Sequence, residues 1–175
     1  MTATTHGVLL VVNGFGVLIT GEAGIGKSEC ALDLVTRGHQ IVADDVVLIE
    51  SSSDALTGKA PDLFSGLIEI RDLGIIDVRL VFGKDSYAAN SRIDLCIELE
   101  KNVAAETRAR IGAGMSRIRL FGVELPHFIL KVQPGRNLAV LIELAVRLIQ
   151  NGSGDAERKL ITAHDAAISS AADSG

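Results

Sequence analysis

Residues 16–28 read GVLITGEAGIGKS, and this stretch decides the fold of the chain. The segment GVLIT is almost wholly apolar, which predicts a strand that is buried on both faces of a sheet. The segment GEAGIGKS satisfies the phosphate-loop pattern G-x-x-x-x-G-K-[ST]. After Lys27, apolar residues such as Cys30 and Leu34 recur at the spacing of one helix face. The order of strand, glycine-rich loop and helix therefore predicts an α/β domain that is built around this loop.

The chemistry of the loop explains the spacing of its residues. Glycines let backbone N–H groups curl around an anion, and the following helix adds the positive end of its dipole. Lys27 can reach the β- and γ-phosphates of a nucleotide, and the Ser28 hydroxyl can ligate Mg²⁺. An ordinary glycine-rich turn is the alternative, but the full pattern in this context favours phosphate binding. The residues predicted to bind the phosphates are Gly21, Glu22, Ala23, Gly24, Ile25, Gly26, Lys27 and Ser28.

The 175 residues are enough for one ordinary domain, and their composition limits its class. Hydrophobic residues make up 47% of the chain, which excludes wholesale disorder. The net charge of −5 argues against a general nucleic-acid binder, and no apolar run approaches the length of a membrane span. The first residues do not resemble a secretory signal. Because Cys30 and Cys96 show no paired spacing, we expect two reduced thiols in a cytoplasmic protein.

Other segments predict a mixed sheet with few helices. A short apolar strand at residues 7–12 and a turn at Asn13-Gly14 predict a hairpin that leads into the loop strand. Further expected elements are strands at 40–43, 46–49, 75–82, 93–99 and 128–132, a turn-rich connector at 57–62, a helix at 101–115, and a helix at 138–150 capped by Asn137. We therefore predict one α/β domain with a mixed sheet over residues 1–150. Residues 151–175 are expected to be a linker and a C-terminal tail with room for one short helix.

Asp44 and Asp45 close a predicted strand only 17 positions after Lys27. The strand after the loop helix thereby delivers carboxylates towards the phosphates. Phosphoryl transfer needs a carboxylate that holds the metal, and often a base that accepts the proton of the acceptor hydroxyl. Strand alternation points one of two adjacent side chains to each face of a sheet unless a bend redirects them. The pattern favours one aspartate for each task over a solvated turn, and it leaves open which aspartate does which.

Five further charged residues are weaker candidates on their own. Glu69 and Arg71 are spaced so that they share one face of an extended chain, which also describes the charged face of an edge strand. His6 comes immediately before the first predicted strand, where a surface residue is usual. Arg110 and Arg136 would likewise be interpreted as surface cations.

A series of short segments nevertheless occurs in one order along the chain. These are His6-Gly7, residues 16–21 and 24–29, Arg37-Gly38-His39, residues 42–45, 69–71 and 73–76, and residues 134–137. The series closely resembles the catalytic domain of bacterial HPr kinase/phosphorylase, from about His6 to Gln150. The likeness is specific, because Ala43-Asp44-Asp45 so soon after the phosphate loop is not the common layout of P-loop proteins.

The resemblance implies a P-loop fold related to phosphoenolpyruvate carboxykinase. It implies an enzyme that uses ATP and Mg²⁺ to phosphorylate a seryl residue of the phosphocarrier protein HPr and thereby regulates carbon metabolism. It also implies the reverse reaction, in which inorganic phosphate attacks phosphoserine and pyrophosphate leaves, so pyrophosphate is an alternative donor. Members of the family are cytoplasmic and form hexamers.

Site residues follow from the resemblance position by position. Lys27 would bind the nucleotide phosphates, and His6 and Arg71 would line the transferred phosphate. One of the two aspartates would take the serine proton and return it in phosphorolysis. The implied catalytic residues are His6, Lys27, Asp44, Asp45, Arg71 and Arg110, and the implied metal ligands are Ser28, Asp45 and Glu69.

The chain also departs from the family pattern. Ala23 stands where Ser is common, Asp72 where Gly is common, and Gln133 where Arg is common. Gln133 removes a cation from the segment 131–136, which matches the part of the family linked to dephosphorylation. The separate N-terminal domain that the family usually carries is expected to be missing. The alternatives are a P-loop kinase of another protein or small-molecule hydroxyl, or a non-catalytic nucleotide-binding module.

Overall fold

The computed structural model describes residues 2–101 and 115–152, which form twelve strands and three α-helices. The strands are β1 (Thr2–His6), β2 (Val8–Val12), β3 (Phe15–Gly21), β4 (Gln40–Ala43), β5 (Val46–Ser51), β6 (Leu56–Lys59), β7 (Leu67–Ile70), β8 (Gly74–Asp77), β9 (Ser91–Arg92), β10 (Leu95–Lys101), β11 (Met115–Leu120) and β12 (Val123–Val132). The helices are α1 (Lys27–Thr36), α2 (Val78–Phe82) and α3 (Leu138–Gln150).

A six-stranded mixed sheet in the order β11-β12-β10-β3-β2-β4 carries the strand of the phosphate loop near its centre. Strand β10 is parallel to both β3 and β12, whereas β2 runs antiparallel to β3 and β4. Because β3 and β12 are parallel to the same strand, they end at one edge of the sheet, and helices α1 and α3 begin there. The predicted α/β fold with a mixed sheet is confirmed.

Strand β3 is covered on both faces. Val17 and Ile19 face the apolar cluster that includes the buried residues of α1 and α3. Leu18 faces a second cluster, together with residues of β5 and β6 such as Ile49 and Leu56. Those two strands belong to a four-stranded antiparallel sheet in the order β1-β5-β6-β9. Burial on both faces is the reason that the run GVLIT contains almost no polar residue.

Glu143 on α3 ties this helix to the end of α1. Its carboxylate accepts hydrogen bonds from Nε and Nη2 of Arg37 at 2.9 and 2.7 Å, and Nε2 of His39 lies 2.9 Å from the same carboxylate. The hydrogen bonds from Arg37, followed by that from His39, lower the pKa of Glu143 from its ordinary value of 4.5 to about 2. These contacts fix the position of α3 relative to the C-terminal end of α1.

We expect Glu143→Gln to lower the free energy of unfolding at pH 7 by about 1–2 kcal/mol, because a charged acceptor is replaced by a neutral one. A carboxyl whose pKa is lowered by folding stabilises the protein above pH 4.5, and this contribution is lost as the pH falls towards about 2. Urea unfolding of parent and variant between pH 7 and pH 3 measures the difference, which should shrink with acidification. The exposed Glu124 provides the control Glu124→Gln. A difference that is constant with pH would contradict the assignment.

Several predicted elements agree with the structure. The Asn13-Gly14 turn joins β2 and β3 as an antiparallel hairpin. Helix α3 spans residues 138–150 as predicted, and Oδ1 of Asn137 accepts a hydrogen bond from Val140 N at 3.0 Å. The predicted helix at 101–115 and the predicted tail helix fall outside the residues that the structure describes, apart from the ends at Lys101 and Met115, which lie in strands.

Other predicted elements are wrong. The strand predicted at 75–82 ends at Asp77, whose carboxylate accepts a hydrogen bond from Arg79 N and caps α2. The connector predicted at 57–62 begins as strand β6, which is paired on both sides. Strands β1 and β11 were not predicted, because their sequences are polar and their partners β5 and β12 supply the pairing.

Candidate active site

The phosphate loop joins the end of β3 to the start of α1. Gly24 and Gly26 have φ values of 73° and 100°, a backbone region that residues with a side chain rarely adopt. Nζ of Lys27 donates hydrogen bonds to the carbonyl oxygens of Gly21 and Glu22, both at 2.9 Å. Helix α1 begins at Lys27, so the positive end of its dipole lies at the loop. The local geometry is that of an anion-binding loop.

Asp44 follows β4 and lies beside the start of α1. Its side chain accepts a hydrogen bond from Oγ of Ser28 at 2.9 Å and another from the backbone N–H of Glu69 at 3.0 Å. The residue is only 9% exposed, and burial is the main cause that raises its pKa above the ordinary 3.8, against the effect of these two hydrogen bonds. Asp44 therefore connects the phosphate loop to strand β7 at the cost of holding a charge away from water.

We expect Asp44→Asn to raise the melting temperature of the ligand-free protein by a few degrees at pH 7. The asparagine can accept from Glu69 N and donate to Ser28, while the cost of burying a charge disappears. Because folding raises the pKa of Asp44, its destabilising effect grows as the pH rises above 3.8. Differential scanning calorimetry at pH 7 and pH 4 measures the gain, with the exposed Asp54→Asn as the control. A lower melting temperature than that of the parent at pH 7 would show that the charge stabilises the fold.

Asp45 sits at a sharp bend of the backbone. Its φ is 65°, and Val46 N donates to the carbonyl oxygen of Asp44 at 2.8 Å across it, the hydrogen bond of a three-residue turn. A conformation of this kind costs about 1–3 kcal/mol for a residue with a side chain and is found mostly at functional sites. The side chain is 78% exposed, and its Oδ1 lies 3.8 Å from Nδ1 of His6. The bend redirects the second carboxylate, so both aspartates reach the same cleft.

The position of His6 follows from strand pairing. Strand β1 runs antiparallel to β5, with His6 opposite Val46, and Gly7 N donates to the carbonyl oxygen of Asp45 at 3.0 Å. The side chain of His6 is exposed, as the sequence alone suggests, and strand pairing holds it beside Asp45.

Glu69 and Arg71 are brought together by a hairpin rather than by a shared strand face. Strand β7 ends at Ile70, and Arg71 lies in the turn to β8, where Asp72 has a φ of 69°. The prediction that both residues share one face of an extended strand is therefore wrong. The turn nevertheless places Arg71 against the phosphate loop, since a methyl group added at Gly24 would lie 3.8 Å from its Nη2.

The phosphate loop, the two aspartates, Glu69 and Arg71 line one cleft of about 330 Å³. Among the described residues that line the cleft, carboxylates outnumber cations, so divalent cations would favour the entry of a polyphosphate. The oxygens of Ser28, Asp44 and Glu69 are the hard donors that Mg²⁺ prefers, and Mg²⁺ usually takes one or two carboxylates together with phosphates. In the part of the chain that the structure describes, no group of three or more His, Cys, Asp or Glu residues is arranged to hold a metal ion. The charged residues that line the cleft are Lys27, Glu29, Asp44, Asp45, Glu69 and Arg71.

Some site features were not predicted, and some predictions are not addressed by the structure. Glu29 lines the cleft from the first turn of α1, and a smaller pocket of about 130 Å³ beside Asp45 is lined by Phe64 and Ile75. Phe64 and Ile75 meet only through the tertiary fold, so no local pattern in the sequence indicates this pocket. Arg136 lies in a separate cleft on the other side of the loop. Arg110 falls outside the described residues.

A phosphate loop between a central strand and a helix, faced by carboxylates and an arginine, defines a P-loop domain of the α/β class. Within this class, the chain belongs to the family described as the HPr Serine kinase C-terminal domain, whose sequence profile matches residues 1–162. The family resemblance drawn from the sequence is therefore confirmed.

Curated and solved relatives agree with this membership. The chain is 48% identical over 145 residues to HPr kinase/phosphorylase of Halalkalibacterium halodurans, a match that covers 82% of this chain and 47% of the relative. It is 46% identical to the enzyme of the same name from Geobacillus thermodenitrificans, covering 89% of this chain and 52% of the relative. The chain thus spans about half the length of these curated relatives.

A solved structure matches over nearly its whole length. The Hpr(Ser) kinase/phosphatase from Coxiella burnetii superposes with a TM-score of 0.77 at 36% identity, covering 90% of this chain and 96% of that one. Among the described residues, no helix has the length and apolar character to cross a membrane.

Proposed function

We propose that this domain is an ATP-dependent serine kinase that acts on the phosphocarrier protein HPr and also removes the phosphoryl group by phosphorolysis. The observation that carries the proposal is the meeting of the phosphate loop, Asp45 and Arg71 at one cleft in a chain of this family. A nucleotide-binding module without catalysis would not need an exposed carboxylate in a strained turn at that place.

The two aspartates have different tasks in this proposal. Asp44 is buried and bonded to Ser28, so it positions the hydroxyl that would hold Mg²⁺ and belongs with Ser28 and Glu69 on the metal side. Asp45 is exposed in the cleft and has no hydrogen bond to the loop serine, so it is the base. Bound Mg²⁺ would neutralise charge on the β- and γ-phosphates.

In the kinase direction, the seryl oxygen of HPr attacks the γ-phosphorus, the bond from this phosphorus to the β–γ bridging oxygen breaks, and ADP leaves. Asp45 accepts the seryl proton. Lys27 and Arg71 balance the charge of the transferred phosphoryl group from two sides, and His6 steadies the Asp45 carboxylate.

In the reverse direction, an oxygen of inorganic phosphate attacks the phosphorus of phosphoserine and the bond to the seryl oxygen breaks. Asp45 returns a proton to the seryl oxygen, and pyrophosphate is formed. Both directions place the same three atoms in line, so one site serves both, and pyrophosphate is proposed as an alternative donor.

We further propose that the domain assembles into a homo-hexamer in the cytoplasm. Leu80 and Val81 of α2 are 85% and 60% exposed, and Leu63 and Leu73 are exposed as well, so apolar side chains are available for a subunit interface. Both cysteines are free and buried, as expected in a reducing compartment. Light scattering after size exclusion tests the oligomer.

Intact-mass spectrometry tests the reaction. HPr incubated with the domain, Mg²⁺ and ATP should gain one phosphoryl group, and pyrophosphate should replace ATP. Phosphate added without a donor should then remove the group and release pyrophosphate. An HPr variant whose acceptor serine is replaced by alanine is the control. No mass gain with either donor, in a protein that binds ATP, would assign the site to another hydroxyl.

A further inference from the structure

Two clefts open on opposite flanks of the phosphate loop. The first, with the aspartates, lies on the side of β2 and β4. The second has a volume of about 390 Å³ and lies on the side of β12, between the first turns of α1 and α3. Gly26 and Glu29 line both clefts, so a ligand that follows the loop can occupy both at once.

The positions of Asp45 and Arg71 give the direction in which a nucleotide lies. The phosphate that reacts has to meet Asp45 and Arg71, which line the first cleft and not the second. When the β-phosphate lies on the loop, the nucleoside extends towards the opposite flank of the loop. We propose that the second cleft binds the purine and ribose of the nucleoside triphosphate, an inference that rests on the proposed function.

The lining of the second cleft suits a nucleoside. Ile25, Val132 and Leu138 give it apolar walls, which match the faces of a purine ring. Glu29 and Asp33 on α1 offer carboxylate oxygens that can accept hydrogen bonds from ribose hydroxyls or from an exocyclic amino group. Cys30 also lines the cleft, and its thiol is unreactive because burial raises its pKa to about 12.

The smaller pocket beside Asp45 is a poorer place for the base. Its volume is about 130 Å³, a third of that of the second cleft, and it is lined by Asp45, to which the acceptor hydroxyl has to come in the proposed reaction. A base in this pocket would block the acceptor.

A pair of tryptophan variants tests the inference, because the natural sequence contains no tryptophan. Leu138→Trp places an indole in the second cleft, and Leu144→Trp places one on the exposed side of the same helix, outside that cleft. Calorimetric titrations with ATP and with inorganic tripolyphosphate, each with Mg²⁺, compare the two variants with the parent. We expect Leu138→Trp to raise the Kd of ATP about tenfold and to leave the Kd of tripolyphosphate within twofold. Its indole emission should respond to ATP and not to tripolyphosphate.

The outcomes separate this inference from the proposed function. Equal ATP affinity in both variants, with no change in emission, would overturn the nucleoside cleft while the phosphate site stands. Failure of the parent to bind either ligand would overturn both. If Leu138→Trp does not fold, photolabelling of the unmodified protein with 2-azido-ATP decides the question. Label on residues 25–33 or 132–139 supports the cleft, and label on residues 64–75 alone overturns it.

Discussion

Lys27→Ala should lower the affinity for ATP and for tripolyphosphate by about a hundredfold and abolish transfer in both directions. The change removes the cation that the loop holds over the phosphate position through hydrogen bonds to the carbonyls of Gly21 and Glu22. A charge-assisted hydrogen bond to phosphate contributes about 1.5–3 kcal/mol, and each 1.4 kcal/mol is a factor of ten in Kd. Isothermal titration calorimetry with Mg²⁺ measures the affinity directly.

The control for this experiment is Lys59→Ala, which removes a surface lysine that pairs with Glu50 on β5 at 3.5 Å. Both variants lose one positive charge, so a general electrostatic effect would appear in both. Circular dichroism shows whether Lys27→Ala keeps the fold. Tripolyphosphate affinity that is unchanged in folded Lys27→Ala would contradict the phosphate loop as the binding element.

Asp45→Asn should lower the rate of HPr phosphorylation and of phosphorolysis by about 10²–10⁴-fold, the contribution usual for general acid–base catalysis. Asparagine tolerates positive φ better than most residues, so the turn at 65° should persist. The Kd for ATP should stay within about threefold, because Asp45 makes no hydrogen bond to the loop. Single-turnover phosphorylation of HPr, followed by mass spectrometry, separates the chemical step from binding.

Asp72→Asn is the matched control, since Asp72 is also an exposed aspartate at positive φ, with a value of 69°. It precedes β8 and does not line the cleft. Turnover above a tenth of the parent rate in Asp45→Asn would remove Asp45 as the base. If Asp44→Asn alone stopped transfer, the two aspartates would have to exchange the tasks proposed above.

Elements with local signals were predictable, and elements that depend on distant partners were not. Helix α3 has a capping asparagine and a periodic apolar face, so its bounds agreed with the sequence prediction. Strand β1 has no such signal, because the segment Thr2–His6 is mostly polar and is extended through its pairing with β5. Residues 78–82 are apolar enough for a strand, yet the cap at Asp77 turns them into a helix.

The site divides in the same way. The loop pattern and the aspartate pair are visible in the sequence as residue types at characteristic spacings. The bend at Asp45 and the turn that carries Arg71 are not, because they depend on how the ends of β4 and β7 meet α1. The proposal of separate tasks for the two aspartates rests on their burial and their partners, which the sequence does not show.

By itself, the sequence determined that this protein has a phosphate loop between a buried strand and a helix, since those features are local and periodic. Family membership was also readable from the order of its motifs. Only the tertiary structure decided which side chains share a cleft, that two clefts flank the loop, and that His6 lies beside Asp45. These facts depend on pairing and packing between residues far apart in the chain, which no spacing along the sequence encodes.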